Sequence, residues 1–367
     1  AGRVLAAPVV ARIPSPRRDV SAMDGYAVRE ADVSTFPGKL KIVGESFAGA
    51  GWNGAIGAGE CVRIFTGAPV PGGADRVVIQ ENVQRDGDLA VIGSAPSEAR
   101  HIRKRGSDFE QGQELLASGR LLDKRAIVAA AAADLAQVEV YKRPRVVILG
   151  TGDELAEPGT ALERVDAIPE SVSLGVAALA SEWGAEVVGR ERLRDDLAAM
   201  EAAAGRALAD ADVVVVTGGA SVGEKDFAKA MFEPLDLEMI FSKVSIKPGK
   251  PVWLGRVGSK LVIGLPGNPT SALVTGRLFL APLLAGLSGR DPSQALNWRT
   301  ANLASPLGAC GSRETFHRAR CGGSRVEILG FQDSSAQQAL ADADVLVRQL
   351  ANAPSAPAGT GVEVLDF

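Results

Sequence analysis

Residues 212–227 read DVVVVTGGASVGEKDF, a β-branched run that changes abruptly to glycines and then to charged residues. Four consecutive valines without polar alternation are typical of a strand covered on both faces, as in a parallel sheet flanked by helices. Gly218, Gly219 and Gly223 allow the backbone to approach a ligand and to turn its amides toward an anion, while Asp226 offers a carboxylate to a metal or a water. Because the stretch is neither a Walker loop nor a G-x-G-x-x-G motif, a plain strand-to-helix turn is the alternative. The stretch predicts a buried strand followed by a binding loop.

The segments before this stretch alternate between predicted strands and helices. Strands are expected at 146–149, 186–188 and 213–216, with helices over 171–183 and 195–208 between them. This β-α-β-α-β order and the right-handed rule for crossovers predict a doubly wound parallel sheet. In such a sheet the ligand crevice lies outside the carboxyl ends of the strands.

Three polar loops follow apolar strands and should meet at that edge: TGDEL at 151–155, the glycine-rich stretch itself, and GLPGNPTS at 264–271. In the third loop Asn268 is placed to cap a helix that has Pro269 at its first position. The free amides of such a positive helix terminus would suit a phosphate or an oxyanion. An ordinary capped helix is the alternative reading of this loop.

A lysine-rich turn, KVSIKPGKP at 243–251, lies between the second and third loops. Two prolines and a glycine restrict its backbone, so Lys247 and Lys250 can converge on one anion. A solvated turn is the alternative.

The first 140 residues have a different pattern, with short period-two runs at 39–43, 61–65, 76–81 and 89–92 separated by turns rich in glycine and proline. This pattern predicts a small all-β domain. Asp123 is expected to cap a helix over 124–135, and a strand is expected at 138–141. The small residues around Asp24 in SAMDGYAV, 21–28, indicate either a tight site or a carboxylate that caps the following turn.

Composition excludes several classes of protein. The 367 residues are 46% hydrophobic and carry 40 Lys and Arg against 44 Asp and Glu, with no basic tract, so a nucleic-acid partner is not expected. Three cysteines without C-x-x-C spacing and two histidines cannot form a thiolate or imidazole zinc cluster, so oxygens must hold any metal. The most apolar helix candidate, 271–287, is interrupted by Arg277 and Pro282, and we expect a cytoplasmic protein without a membrane span.

Five motifs in order along the chain resemble the molybdopterin molybdenumtransferase family, the MoeA-like proteins that include the E domain of gephyrin. They are SAMDGYAV at 21–28, TGDEL at 151–155, GGASVG at 218–223, KPGKP at 247–251 and LPGNP at 265–269. The resemblance implies a multidomain α/β plus β fold, with a linking domain (1–24 and 119–142), a β-rich inserted domain (25–118), an α/β molybdopterin-binding domain (143–289) and a C-terminal β-barrel (290–367). It also implies a homodimer in which Asp24 completes the partner's site.

The reaction implied by the resemblance takes molybdate and adenylylated molybdopterin, releases AMP and transfers molybdenum to the pterin dithiolene, assisted by Mg²⁺ or another divalent cation. Three sets of residues fall on the family's motifs. The catalytic and metal-binding set is Asp24, Asp153 and Asp226. The pterin-binding set is Thr151, Gly152, Gly218, Gly219, Ser221, Gly223, Pro266, Gly267 and Asn268. The molybdate-binding set is Lys247, Lys250, Ser271, Arg313 and Ser335.

Two valines depart from the family pattern, because Val20 and Val172 occupy positions where the family has asparagine. A valine side chain can neither donate nor accept a hydrogen bond, so contacts with the pterin or its phosphate would be missing there. A paralogue that binds molybdopterin or a protein partner without inserting metal is therefore the second hypothesis. If the valines line the pocket, this second hypothesis gains support, and if they face a contact between domains, it loses its basis. Molybdate and tungstate are dianions of similar size, and the sequence does not distinguish them.

Overall fold

The computed structural model describes residues 1–219 and 227–367, which form two compact units. The N-terminal unit comprises Ala7–Glu139 together with Ala1, and the C-terminal unit comprises Gly2–Ala6 and Val140–Phe367.

The N-terminal unit is mainly β-structure. Its strands and helix, in chain order, are β1 (Val9–Val10), β2 (Val20–Ser21), β3 (Gly25–Val28), β4 (Gly38–Ser46), β5 (Glu60–Ile64), β6 (Arg76–Ile79), β7 (Val83–Asp86), β8 (Leu89–Ile92), β9 (Ile102–Arg103), β10 (Glu114–Leu116) and α1 (Lys124–Ala132). Six strands form one sheet in the order β6-β3-β5-β4-β8-β7, while β1 pairs with β10 and β2 with β9. The short strands predicted from the period-two pattern therefore belong to this six-stranded sheet.

The helix of this unit begins as expected and ends early. The Asp123 side chain accepts hydrogen bonds from the amides of Arg125 and Ala126, which satisfies donors of the first turn. The helix ends at Ala132 rather than at 135, because Asp134 has a left-handed backbone (φ 64°) that cannot continue it. The predicted strand at 138–141 was wrong, since only one isolated bridge, between Val140 and Leu5, forms there.

The C-terminal unit contains a central mixed α/β sheet and a barrel. Its elements are β11 (Arg145–Thr151), β12 (Leu155–Ala156), β13 (Ile168–Pro169), α2 (Val172–Glu182), β14 (Glu186–Leu193), α3 (Leu197–Asp210), β15 (Val213–Thr217), α4 (Phe227–Ala230), β16 (Glu238–Phe241), β17 (Ile246–Lys247), β18 (Trp253–Val257), β19 (Lys260–Leu265), α5 (Pro269–Thr275), α6 (Ala281–Leu287), β20 (Arg299–Leu303), β21 (Glu314–Gly322), β22 (Arg325–Ile328), α7 (Gln337–Ala341), β23 (Val345–Gln349) and β24 (Gly361–Asp366).

The central sheet has the order β14-β11-β15-β19-β18-β16. The first four strands are parallel, as predicted, but β18 and β16 add an antiparallel edge that the sequence reading did not anticipate. Helices cover both faces, which explains the uninterrupted valine run in β15. On that strand Val214 and Val216 pack with α3, whereas Val213 and Val215 pack with α2.

The last part of the chain closes into a five-stranded barrel. Its strands pair in the order β21-β22-β20-β24-β23, and β23 returns to β21 to complete the circle. A sixth short strand, β17, pairs in parallel with the start of β21, with Lys247 opposite Thr315. The multidomain α/β plus β fold with a C-terminal β-barrel is thereby confirmed.

A long helical segment links the two parts of the C-terminal unit. It runs from Pro269 to Leu287 and is long and apolar enough to cross a membrane by length and composition, yet 67% of its most apolar window is buried in the fold. Arg277 and Pro282 do not interrupt it, contrary to expectation. A π-helical turn at Gly276–Leu280 lies just before the proline, and such a turn adjusts the backbone where a proline cannot donate. Arg277 is buried and donates to the carbonyl oxygens of Asp366 and Ala295.

Candidate functional site

A cavity of about 520 Å³ lies at the carboxyl ends of the parallel strands, and we call it the strand-end cavity. Loops that follow β11, β15 and β19 supply much of its wall, as expected for a doubly wound sheet. Its lining residues are Thr151, Glu154, Leu155, Ile168, Pro169, Glu170, Ser171, Val172, Thr217, Gly218, Gly219, Pro251, Pro266, Gly267, Asn268, Pro269, Ser335 and Gln337.

Glycines bring backbone segments close together in the wall of this cavity. Gly218 has a φ of 90°, and a Cβ added there would lie 2.6 Å from the carbonyl oxygen of Thr151. A Cβ added to Gly267 would lie 3.2 Å from the Cα of Gly218, so the two loops touch through their backbones. This close approach requires glycine at 218, and the Gly218 amide donates to the Leu265 carbonyl oxygen (3.2 Å), which ties the second loop to the end of β19.

A second cavity of about 670 Å³ adjoins the lysine-rich turn, and we call it the lysine cavity. It contains four of the five residues predicted for molybdate, namely Lys247, Lys250, Ser271 and Arg313. The fifth, Ser335, lines the strand-end cavity instead. The other lining residues are Pro248, Gly249, Pro251, Thr315, Phe316, His317, Phe331, Gln332, Asp333 and Ser334. The arrangement concentrates positive charge, which suits a small anion.

One loop of the barrel separates the two cavities. Ser334 faces the lysine cavity and Ser335 the strand-end cavity, and Pro251 lines both. Asp333 accepts hydrogen bonds from the hydroxyl and amide of Ser335, and these bonds lower the pKa of its carboxyl group. The Asp333 carboxylate thus bridges the hydroxyl and the amide of a residue two positions later and stabilises this turn of the loop.

The same loop binds the beginning of α5. Asn268 stands at the N-cap position before Pro269, but its side chain donates to the Ser334 hydroxyl (3.0 Å) instead of capping the helix. The Thr270 amide donates to the Ser334 carbonyl oxygen (3.1 Å). The expected set of free amides at this helix terminus was thus wrong in part, because the barrel already occupies one of them.

A buried arginine, Arg318, adds hydrogen bonds between the barrel loop and the beginning of α5. Its Nη1 donates to the Thr270 hydroxyl and to the Ala336 carbonyl oxygen, and the residue is 1% exposed. Burial lowers the pKa of its guanidinium group. We infer that Arg318 fixes the barrel loop against the helix that lines both cavities.

The sequence analysis missed a histidine in the lysine cavity. The Nε2 atom of His317 lies 2.9 Å from the Oε1 atom of Gln349, and the Gln349 amide nitrogen donates to the Gly308 carbonyl oxygen (2.7 Å). Burial lowers the pKa of His317, the Gln349 hydrogen bond opposes this effect, and the positive charges of Lys247 and Arg318 add to it. No local signal identified it, because Arg313 precedes β21 and the four-residue spacing to His317 therefore does not place both side chains on one strand face.

Carboxylates near the strand-end cavity are oxygen ligands of the kind that Mg²⁺ prefers. Glu154 lines the cavity, and the exposed Asp153 accepts a hydrogen bond of 3.3 Å from the Asp195 amide. Among residues 1–219 and 227–367, no three His, Cys, Asp or Glu side chains form a cluster that could hold a metal ion by themselves. The other carboxylate predicted for this region, that of Asp226, lies outside the described residues, as do Ser221 and Gly223. Gly152 belongs to the same loop as Thr151 and is buried.

Asp24 lies in the N-terminal unit. Its Oδ1 atom accepts hydrogen bonds from the amide (2.7 Å) and the hydroxyl (2.8 Å) of Thr66, 42 residues away. These two bonds, together with the charge of Arg63, lower the pKa of the Asp24 carboxyl group. The Asp24 side chain does not cap the turn directly after it, which was the alternative interpretation. It binds Thr66, which belongs to a different turn.

The two valines that depart from the family pattern have different surroundings. Val172, the first residue of α2, lines the strand-end cavity, is 8% exposed and belongs to the hydrophobic core on that side of the sheet. Val20 forms strand β2 in the N-terminal unit, where it pairs with Arg103 and bridges to Pro69. By the criterion set from the sequence, Val172 supports the binding-only hypothesis.

Comparison with known families covers most of the chain. Residues 1–133 match "MoeA N-terminal region (domain I and II)", residues 147–286 match "Probable molybdopterin binding domain", and residues 300–367 match "MoeA C-terminal region (domain IV)".

Curated proteins and solved structures agree with this match. The chain is 36% identical to the molybdopterin molybdenumtransferase of Haemophilus influenzae over 91% of this chain and 83% of the relative. It is 34% identical to molybdopterin molybdenumtransferase 2 of Mycobacterium tuberculosis over 100% of this chain and 93% of the relative. A crystal structure of the molybdopterin biosynthesis MoeA protein from Pyrococcus horikoshii superposes with a TM-score of 0.84 at 30% identity, covering 100% of this chain and 92% of that one. The chain belongs to the molybdopterin molybdenumtransferase (MoeA) family.

Proposed function

We propose that this chain is a molybdopterin molybdenumtransferase of molybdenum cofactor biosynthesis, which inserts molybdenum from molybdate into adenylylated molybdopterin with release of AMP. The observation that carries the proposal is the common wall of the two cavities. Pro251 lines both, and the neighbouring residues Ser334 and Ser335 face one cavity each. Two ligands held in adjoining cavities react with the advantage of fixed proximity and orientation.

The two cavities are assigned to the two substrates by their chemistry. Peptide groups around Gly218, Gly219 and Gly267 suit the pterin and its phosphates, with Thr151, Gly152, Ser221, Gly223, Pro266 and Asn268 as the remaining proposed contacts. Lys247, Lys250 and Arg313 supply three cationic groups for molybdate in the lysine cavity, joined by the Ser271 hydroxyl. Ser335, the fifth residue of the predicted set, lines the strand-end cavity and donates its hydroxyl to Asp333, so we do not assign it to this anion. Three cationic groups lining one cavity attract a dianion electrostatically, and the two exposed lysines leave this attraction open to screening by salt.

We assign the proposed divalent cation to carboxylate oxygens. Asp153 and Asp226 would hold Mg²⁺ beside the strand-end cavity, together with Asp24 from a second chain. When bound, such a cation neutralises phosphate charge as a pyrophosphate bond is cleaved. The low pKa of Asp24 keeps that carboxylate ionised and able to bind a cation at neutral pH.

We also propose a cytoplasmic homodimer with composite sites, whose chains have the four domains at the boundaries given above and which has no nucleic-acid or membrane partner. The proposal predicts complementation between two inactive variants. Mixed dimers of Asp24→Ala and Asp153→Ala chains should recover part of the activity, because one composite site in each mixed dimer is intact. No recovery after verified subunit exchange would show that each site is built from one chain.

The test of the reaction is to incubate the purified chain with adenylylated molybdopterin, Mg²⁺ and molybdate, and to measure AMP and molybdenum cofactor together. Both products should appear in equal amounts, since cleavage and insertion occur at adjoining positions. Binding of the adenylylated pterin without either product, over a range of molybdate concentrations and cations, would reject the proposed reaction.

Val172 favours a second candidate function, a paralogue that binds molybdopterin or a protein partner without inserting metal. An asparagine at this buried position of the cavity wall would supply two donors and an acceptor, whereas the valine supplies none. Under this alternative the chain binds the pterin and yields neither AMP nor cofactor. The same incubation therefore separates the two functions.

A further inference from the structure

His317 lies on barrel strand β21 and lines the lysine cavity. On β21 it lies opposite Val347, and the neighbouring Ala319 and Val347 belong to the barrel core. Its side chain shares a strand face with Thr315, because alternate residues of a strand point the same way. The ring lines the lysine cavity together with Lys247, Lys250 and Arg313. No motif of the sequence analysis included it.

The protonation state of the ring follows from its neighbours. The Gln349 amide nitrogen donates to the Gly308 carbonyl oxygen, which turns the Oε1 atom of Gln349 toward His317. Nε2 must then carry the hydrogen, and in the neutral ring Nδ1 has a lone pair. Nδ1 has no hydrogen-bond partner within the described part of the chain. Gln349 is thus a positioning residue for the ring.

The charges around the ring favour its neutral form while the cavity is empty of anion. Lys247 on β17, Lys250 in the turn, Arg313 ahead of β21 and Arg318 on β21 are cationic, and the barrel loop contributes one carboxylate, that of Asp333. Burial and the nearest cations lower the pKa of His317 below its ordinary value. A dianion that entered the cavity would offset this positive charge and would offer an acceptor for a second N–H group.

We propose that His317 is a direct ligand of the oxyanion and takes up a proton at Nδ1 when the anion binds. The proposal rests on the assignment of the lysine cavity to molybdate. The proton comes from solvent and leaves again with the anion, so no bond other than N–H is made or broken. His317 would then provide a cation that is present only while the dianion is bound.

The sign of the pH dependence follows from linkage. The pKa of His317 is higher in the complex than in the free protein, so binding strengthens as the pH falls through the bound pKa and levels off below the free pKa. Molybdate stays a dianion between pH 6.5 and 8.5, so its own protonation does not contribute. With one linked proton, we expect molybdate to bind about tenfold more tightly at pH 6.5 than at pH 8.5.

Calorimetric titration of the full chain with molybdate across this pH range tests the proposal. His317→Gln should bind more weakly at pH 6.5 and show affinities within about twofold of each other across the range, because it cannot gain a charge. His101→Gln removes the only other histidine of the chain, which lies in the N-terminal unit, and should keep the wild-type profile. Titrations in two buffers of different ionisation enthalpy should reveal proton uptake by the wild type and none by His317→Gln.

Gln349→Glu provides an independent variant that retains the histidine. A carboxylate at the position of Oε1 would raise the pKa of His317, so the steep part of the binding profile should move to higher pH by about one unit. A wild type that binds molybdate with the same affinity at every pH, or a His317→Gln variant that keeps the slope, overturns the role of His317 and leaves the cavity assignment intact. Absence of molybdate binding by the wild type at every pH overturns that assignment as well.

Discussion

The two cavities of the C-terminal unit are built in opposite ways. In the wall of the strand-end cavity glycine backbones come close together, since a Cβ added to Gly218 would lie 2.6 Å from the Thr151 carbonyl oxygen and one added to Gly267 would lie 3.2 Å from the Cα of Gly218. The lysine cavity is lined by long cationic side chains on a turn fixed by two prolines. The first can recognise a large ligand by shape and peptide hydrogen bonds, whereas the second recognises a small ion by charge. Adding a methyl group should weaken ligand binding in the strand-end cavity, and removing positive charge should weaken ligand binding in the lysine cavity.

The largest effect is expected from removing charge in the lysine cavity. Lys247→Ala combined with Lys250→Ala should raise the molybdate concentration for half-maximal rate by at least about a hundredfold, because two charge-assisted contacts disappear. Affinity for the adenylylated pterin, measured separately, should change by less than about threefold.

Lys243→Ala is the matched control, since this exposed lysine belongs to the same turn but not to the cavity lining. It should leave the half-maximal molybdate concentration unchanged. An equal effect of the Lys243 change would mean that only the general charge of the turn matters.

A smaller effect is expected from adding one methyl group to the strand-end cavity. Gly218→Ala combines a φ of 90° with a contact of 2.6 Å to the Thr151 carbonyl oxygen, and should lower the free energy of unfolding by about 1–3 kcal/mol. Pterin affinity should fall about tenfold while molybdate affinity is retained. Denaturant titration and pterin binding measure the two effects.

Gly150→Ala is its control, because the added Cβ would meet the Thr217 hydroxyl oxygen at 3.6 Å, an ordinary contact. Stability and pterin binding should stay close to those of the wild type. If both alanine variants lose pterin binding equally, the close approach at Gly218 is not what shapes the cavity.

The smallest effect should come from restoring a side-chain amide to the strand-end cavity. Val172→Asn should increase affinity for the adenylylated pterin by about threefold to tenfold, the value of one ordinary hydrogen bond. It should also reduce stability slightly, since the valine packs in the core. Val20→Asn in the N-terminal unit is the comparison variant. Unchanged pterin affinity in Val172→Asn would remove the basis of the binding-only alternative.

Local sequence was sufficient to predict the parallel strands of the central sheet and the edge at which their loops meet. The apolar runs before Thr151, Gly218 and Pro266 mark strand ends, and parallel strands bring such ends together. The antiparallel edge β18-β16 was missed because short strands beside a turn carry too little periodic signal. That edge does not alter the strand-end cavity's position.

Contacts between distant parts of the chain could not be predicted from the sequence. Asn268 looked like a helix cap, but its amide binds Ser334, 66 residues away. Nothing in the local sequence distinguished His317 from other strand residues. The pairing of β17 with β21 places Lys247 beside its strand. Local sequence does not indicate which strand a two-residue segment such as β17 will pair with.

The barrel loop forms part of the wall of both cavities, so thermodynamic linkage governs any effect of one bound ligand on the other. Ser334 and Ser335 are consecutive, and hydrogen bonds join them to Asn268 and Asp333. Whatever factor a bound pterin applies to the affinity for the oxyanion, the oxyanion must apply to the affinity for the pterin. Order of addition can change the rate at which the ternary complex forms, but it cannot change how much of the complex is present at equilibrium.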